Sequence, residues 1–224
     1  MKSSIYGLNK DYLSYSAWNL WKTNKDEYRR IYYECGEKFN TTETIFGKKI
    51  AELLEKTYEL KHVPRLPIAE HGIRVEVEGV KLMGYLDSFD IDQCEILEFK
   101  TGHLSRDGKV PWDQVKVEKH KQLDWYSFLV KEKHGKVKNK LSLVWLETEF
   151  ENKSIEFAGH TLTTQTRELK LTGKVVTFWR IIYEWQRQKI KKEILEVAKE
   201  IEKDYEEYQR IKSREVVSQE KSSE

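Results

Sequence analysis

Two cysteines, three prolines and two methionines are all that this chain of 224 residues carries of those types. Cys35 and Cys94 lie far apart and outside any C-x-x-C spacing, so the sequence signals neither a disulfide framework nor a zinc or iron–sulfur site. No apolar run is long enough to span a bilayer, and the opening MKSSIYGLNKDYLSY lacks the apolar segment of a secretory leader. The expectation is an intracellular, cytoplasmic protein with no membrane partner. An excess of one charge is missing as well: 40 Lys and Arg stand against 38 Asp and Glu, leaving +2, so no global field demands a polyanionic partner. Any basic surface has to be local. What is present is 38% hydrophobic and 35% charged residues at a mean hydropathy of −0.75, which fits one soluble domain with a real core. Seven Trp, twelve Tyr and eight Phe supply large anchors. Aromatics serve equally as core filler and as platforms for nucleobases, and composition does not separate the two uses.

Periodicity orders the chain. Ala17, Leu20, Trp21, Tyr28, Ile31 and Tyr32 recur at helical spacing and predict a first helix over 14–33, with Ser14 or Ser16 as its cap. A second helix is expected over 44–60, closed by Pro64 and Pro67. From Ile73 the period changes to two, predicting strands at 73–78, 81–90 and 95–101 with a turn at Gly79. A helix over 115–134 stopped by Gly135 follows, then strands at 141–149, near 154–158 and at 168–178. The last element, a long charged helix from Trp179 to about Ile211, gives way to a polar tail. The fold class is therefore α/β, a mixed central sheet flanked by helices with a long C-terminal helix, in one domain over 1–212 and a disordered tail over 213–224.

The chemistry concentrates in GYLDSFDIDQCEILEFKTG, residues 84–102. A hairpin closing on Asp92 and Gln93 sets Asp87 directly across from Glu98, with both side chains on one face, and Lys100 joins that face two residues on. Like charges opposed across a ladder destabilise it, so a cation belongs between them. Either Lys100 supplies it as a cross-strand salt bridge worth about 0–1 kcal/mol, or the acids hold a hard divalent ion. In the second case Asp87, Glu98 and the Phe99 carbonyl are the ligands. Spacing alone leaves both open. Histidines 71, 103 and 120 lie near this segment in sequence, with surface or structural roles favoured for each, and the lysines of 109–140 offer either a phosphate track or a solvated surface.

These residues resemble the PD-(D/E)xK nuclease superfamily, in its RecB-like branch. Gly84-Tyr85-Leu86-Asp87 is similar to the branch's G-x-x-D strand, Glu98-Phe99-Lys100 to its (D/E)xK, Thr101-Gly102 to the pair that follows, and Gln122 and Tyr126 to its Q-x-x-x-Y helix. The likeness covers roughly residues 10–185. It implies a restriction-endonuclease-like core and a Mg²⁺-dependent deoxyribonuclease, exonuclease or endonuclease, with Mn²⁺ able to substitute. DNA is the implied substrate, in repair, recombination or the processing of phage and mobile-element DNA, with a helicase or recombination protein as partner. In that frame Asp87, Glu98 and Lys100 are catalytic, and Asp87, Glu98 and the Phe99 carbonyl bind metal. Thr101, Gln122 and Tyr126 contact DNA or support the site. FGKKIAELLE is similar to the family's G-x-x-x-H helix, but Ala51 occupies the histidine position, leaving Glu55, one turn on, or the adjacent Glu52 as substitute candidates, with the solvated face of a Lys- and Glu-bearing helix the favoured reading of both. Relatives with an iron–sulfur cluster use four cysteines, which excludes that cluster here. The departure at Ala51 keeps two alternatives in view: an inactive DNA-binding or scaffold homologue, and a subunit active only within a complex.

Overall fold

The computed structural model describes residues 11–38, 41–56, 62–105, 107–157 and 160–221, of which the side chains of 55–56, 152–153, 155–157, 160, 162–167 and 215–221 stay outside the description. A two-residue strand β1 (Leu13–Ser14) leads into α1 (Tyr15–Thr23) and α2 (Lys25–Tyr32). One helix was expected here, and Asn24 divides it. Its backbone leaves the helical region at φ −157°, its N–H closes α1 on the Leu20 carbonyl, and its side chain accepts from Glu27 N to open α2. One residue whose backbone satisfies the end of one helix and whose short polar side chain satisfies the start of the next favours the break. Ser14 caps α1 through the Ala17 N–H.

Helix α3 (Thr42–Lys56) follows; the expected extension to residue 60 lies outside the described residues. Strands β2 (Ile68–Val77), β3 (Val80–Asp90) and β4 (Glu95–His103) match the three expected strands, with β2 starting earlier. The helix expected over 115–134 is two, α4 (Gln114–Glu118) and α5 (Lys121–His134): the Lys119 N–H closes α4 on the Lys116 carbonyl and His120 turns extended at ψ 99°, while Asp113 caps the start of α4 through Lys116 N. Gly135 ends α5 at φ +69° as expected. Strand β5 (Lys140–Phe157) joins two segments read as separate strands, since register shifts between Leu146 and Thr148 and between Phe150 and Asn152 break its alternation. Strand β6 (His160–Ile181) takes in Trp179, which had been expected to open the last helix. Helix α6 instead runs over Glu184–Lys221, through the segment expected as a disordered tail.

The six strands form one mixed sheet in which β3 pairs β2 along one edge and both β1 and β4 along the other, followed by β5 and β6. β4 and β5 run parallel, so the chain crosses back over one face through α4 and α5. On that face α1, α2, α5 and α6 bury Trp18, Trp21, Trp125, Phe128, Ile194 and Ile201 against Leu82, Leu86, Ile96 and Leu143. The opposite face packs α3, through Ile50 and Leu54, on Leu97, Val144 and Leu146. Among the described residues, no helix is long and apolar enough to cross a membrane.

Candidate functional site

The β3–β4 hairpin closes as its sequence dictates. Asp90 Oδ1 accepts from the N–H groups of Asp92 and Gln93, fixing the turn, and pairs run from Asp90–Glu95 to Ser88–Leu97. Asp87 and Glu98 are next in register, and there the strands part. In place of a ladder bond, Asp87 Oδ2 accepts from the Phe99 N–H at 2.8 Å. Leu97 and Phe99 pack on the α3 side, while Glu98 and Lys100 meet α5, as the alternation requires. The β2–β3 ladder is also interrupted beside the site. It runs in one register from Val77–Val80 to Ile68–Phe89 and skips only Glu70–Asp87, where Glu70 takes φ +48°. Both strands kink at this point: Leu86 and Phe89 face the major core, whereas Ser88 turns to Leu66, accepting its N–H at 2.7 Å.

Asp87, Glu98, Phe99, Lys100, Thr101 and Gln122 thereby line one open cleft of about 540 Å³, roofed by Gly47, Ile50 and Ala51 of α3. Glu98 is only 1% exposed. Its Oε1 accepts from Lys100 Nζ at 2.6 Å, and its buried Oε2 has no hydrogen-bond partner among the described residues. Burial pushes its pKa up to about 8; Lys100 opposes the rise and the Asp87 charge adds to it. Burial likewise raises Asp87 against the pull of Lys100. Burial alone would lower Lys100, but the charge and hydrogen bond of Glu98 outweigh it and hold the ammonium above its usual value. Two acids thus share one ammonium in a water-poor recess, a balance that favours either a retained proton or an added cation.

Lys100 is held from α5 as well. Its Nζ donates to Gln122 Oε1 at 2.9 Å, and Gln122 Nε2 donates to the Tyr126 hydroxyl at 2.9 Å, so the i, i+4 pair expected on one helix face forms a relay behind the amine. Gly84 makes the approach possible: a Cβ there would lie 2.8 Å from Leu129 Cδ1 and 3.0 Å from Tyr126 Cε1. Gly102 plays the same part under Pro111, at 3.0 Å. The first turn of α5 is fixed by Arg180, which lies 2.7 Å from Asp124 in a buried ion pair and donates to the His120 carbonyl at 3.1 Å.

Sequence reasoning passed over two residues. Glu70 lines the cleft beside Asp87; following the hairpin back from the Gly79 turn sets it opposite Asp87. Tyr15 approaches from α1, its pKa pushed up to about 12 by burial and by the charges of Glu98 and Asp124. Of the expected histidines, His71 stacks on Phe89 and His120 packs between Tyr15 and Trp112. Ala51 does face the cleft, whereas the Glu55 side chain lies outside the described residues. Much of the lysine-rich stretch is engaged elsewhere: Lys121 pairs with Glu193, Lys138 with Glu95, and Lys131 and Lys136 donate to carbonyls.

The donor set suits a hard divalent ion, because a buried carboxylate oxygen without a partner stands beside a second acid. Among the described residues no three His, Cys, Asp or Glu side chains converge as a ready-made metal cage.

No family model matches the sequence, and no match is found among curated proteins. Among solved structures, the chain is similar to a phage-related exonuclease from Haemophilus somnus 129PT, at 16% identity and a TM-score of 0.46, covering 77% of this chain and 76% of that one. It is also similar to a protein from Eubacterium rectale described as a candidate exonuclease, at 14% identity and a TM-score of 0.30, covering 88% of this chain and 65% of that one.

Proposed function

We propose that the chain is a metal-dependent nuclease that hydrolyses DNA phosphodiester bonds, using Mg²⁺, or Mn²⁺ in its place, at the Asp87–Glu98 recess. One observation carries this reading: the partnerless Oε2 of the buried Glu98, next to Asp87 and within reach of the Lys100 amine. Asp87, Glu98 and the Phe99 carbonyl would hold the ion, and Glu70 on the cleft wall joins Glu55 as a candidate for a further acid. A bound divalent ion supplies polarisation of the phosphoryl oxygen and a water of lowered pKa. The chain does the rest. Lys100, kept charged by Glu98 and aimed by Gln122, positions the attacking water or holds negative charge that develops on the phosphate. Tyr126 fixes the Gln122 amide, and Thr101 continues the cleft floor towards substrate. Work in DNA repair, recombination or mobile-element processing, beside a helicase or recombination protein, is the setting that the PD-(D/E)xK resemblance implies.

The test is incubation of purified protein with linear, circular and single-stranded DNA, with Mg²⁺, Mn²⁺ or a chelator. Cleavage that needs the metal is expected, falling by roughly 10²–10³-fold or more in Asp87→Ala and Lys100→Ala. Cleavage that survives both substitutions would belong to a contaminant. Binding without cleavage in every metal would instead make the chain a DNA-binding scaffold.

A further inference from the structure

Gln122 is the second residue of α5, in a first turn whose N–H groups have no partners within the helix and where a helix frays most readily. A side chain in that turn keeps its aim only if something outside the helix holds the turn. The usual device is missing: His120, at the cap position, makes no side-chain cap hydrogen bond, and its ring packs between Tyr15 and Trp112. The hold comes instead from Arg180 of β6, the outer strand of the sheet and two strands removed from β4. Its terminal nitrogens reach two points of the same turn: Nη1 donates to the His120 carbonyl at 3.1 Å, and Nη2 lies 2.7 Å from Asp124 Oδ1. Gln122 stands between these points in the chain, and both ends of its amide are committed, Oε1 to Lys100 and Nε2 to Tyr126.

Packing alone does not call for this pair. The side chains of Arg180 and Asp124 are 7% and 9% exposed, and burial holds the Asp124 carboxyl above its ordinary value in spite of the charge and hydrogen bond of Arg180. Desolvation opposes taking two charges out of water, and well-packed apolar side chains of similar volume commonly hold a fold as well or better. What a guanidinium adds is direction, through a planar fork of fixed donors. A second buried arginine gives the contrast. Arg187 of α6 donates to Ser127 Oγ of α5 at 3.1 Å, to the Ile182 carbonyl at 2.9 Å and to Asn139 Oδ1 at 3.0 Å. It grips the same helix at a residue outside the lining of the cleft.

We propose that Arg180 is a positioning residue for the reaction: through His120 and Asp124 it fixes the first turn of α5, and through Gln122 it sets the direction of the Lys100 ammonium. The inference rests on the nuclease reading for the task of Lys100 and adds a residue from the far edge of the sheet to its support. An ammonium has three N–H donors. Glu98 and Gln122 take two of them, which leaves the third for water or phosphate in the cleft that Lys100 lines. Released by Gln122, the amine keeps its charge beside Glu98 and loses its aim.

The experiment compares the wild type, Arg180→Met/Asp124→Leu, which removes both buried charges together, and Arg187→Met as the control, with circular dichroism melts to establish that each variant folds. With Mg²⁺, kcat and KM are measured on linear DNA. The pair variant should lose about 10–100-fold in kcat at unchanged KM, and Arg187→Met should keep the wild-type kcat. In chelator, NMR of protein labelled with ¹⁵N-lysine follows the Lys100 ammonium, identified by its absence in Lys100→Met. Held by two partners in a recess, that ammonium should exchange slowly and give a resolved signal, which the pair variant broadens or loses. An unchanged kcat in the pair variant, an equal fall in Arg187→Met, a wild type without a resolved Lys100 signal, or a signal that the pair variant leaves unchanged would overturn the assignment. Should the pair variant not fold, Arg180→Lys is measured in its place; one ammonium cannot span His120 and Asp124 as a guanidinium does, so the same loss of kcat and the same broadening are expected. Should the wild type cleave no DNA, the nuclease reading fails by itself, and the lysine spectrum still decides whether Arg180 holds the amine.

Discussion

A buried carboxylate with one partnerless oxygen holds its charge badly, and Glu98 therefore sets the pH behaviour of the site. Its folded pKa of about 8 lies above its ordinary 4.5. The folded state thus holds its proton more tightly than the unfolded chain does. The stability this contributes is complete below pH 4.5 and is lost as pH rises through about 8. In chelator, the melting temperature is expected to fall between pH 5.5 and 9. Added Mg²⁺ should restore more of it at pH 9 than at 5.5, because Glu98 must shed its proton to serve as a ligand. Glu98→Gln should flatten both dependences in a thermal-shift series. A wild-type curve that is flat in chelator would contradict this account of the recess. At this scale the acids and the amine were readable from spacing, because a hairpin has one simple register. Glu70 was not, since its place depends on a second hairpin and a left-handed backbone that no local signal announces.

Among the elements, α5 carries the most. It presents Gln122 and Tyr126 to the site while burying Trp125, Phe128 and Leu129 in the core. Its fit on β3 depends on the bare backbone at Gly84, so Gly84→Ala should destabilise by about 1–3 kcal/mol in urea unfolding through overpacking. It should also lower kcat through displacement of Tyr126 and Gln122. An unchanged urea midpoint would show that α5 can shift at no cost. The cap of α5 adds an acid-sensitive point. The His120 pKa is lowered to about 4 by burial, assisted by the charges of Lys100 and Arg180 against the Gln122 hydrogen bond, while Tyr15 and Trp112 face its ring. Neutral in the folded state, His120 supports stability above pH about 6.5, and that support is lost as pH falls towards 4. His120→Phe should remove part of the acid-induced drop in melting temperature between pH 6.5 and 4; an identical drop would assign it elsewhere. Period-two and helical patterns located these elements, yet they merged α1 with α2 and α4 with α5. Asn24, which caps α2 from inside a continuous apolar stripe, separates the first pair, and the extended backbone of His120 separates the second.

For the whole molecule, α6 ties the first helices to α5. Ile190, Ile194, Ala198, Ile201 and Tyr205 are buried against that layer, and Arg29 pairs with Asp204 at 2.5 Å. Among the described side chains of α6 burial ends near Tyr208, so a chain stopped after Ile211 should melt within a few degrees of the full length, whereas one stopped after Lys199 should fail to fold cooperatively. Circular dichroism melts would separate the two outcomes, and equal melting temperatures would deny α6 its place in the core. The sequence by itself determined the class of the fold, the β3–β4 hairpin and the acid–acid–amine set, because alternation and turn chemistry act over a few residues and leave one register. Only the tertiary structure decided that the strands part at Asp87 and Glu98 and that Gln122 braces Lys100. The crossover that brings α5 onto β3 and the Glu70 kink were likewise settled there. Such features follow from packing between segments distant in the chain, where burial and close contact, rather than local preference, fix where a side chain ends.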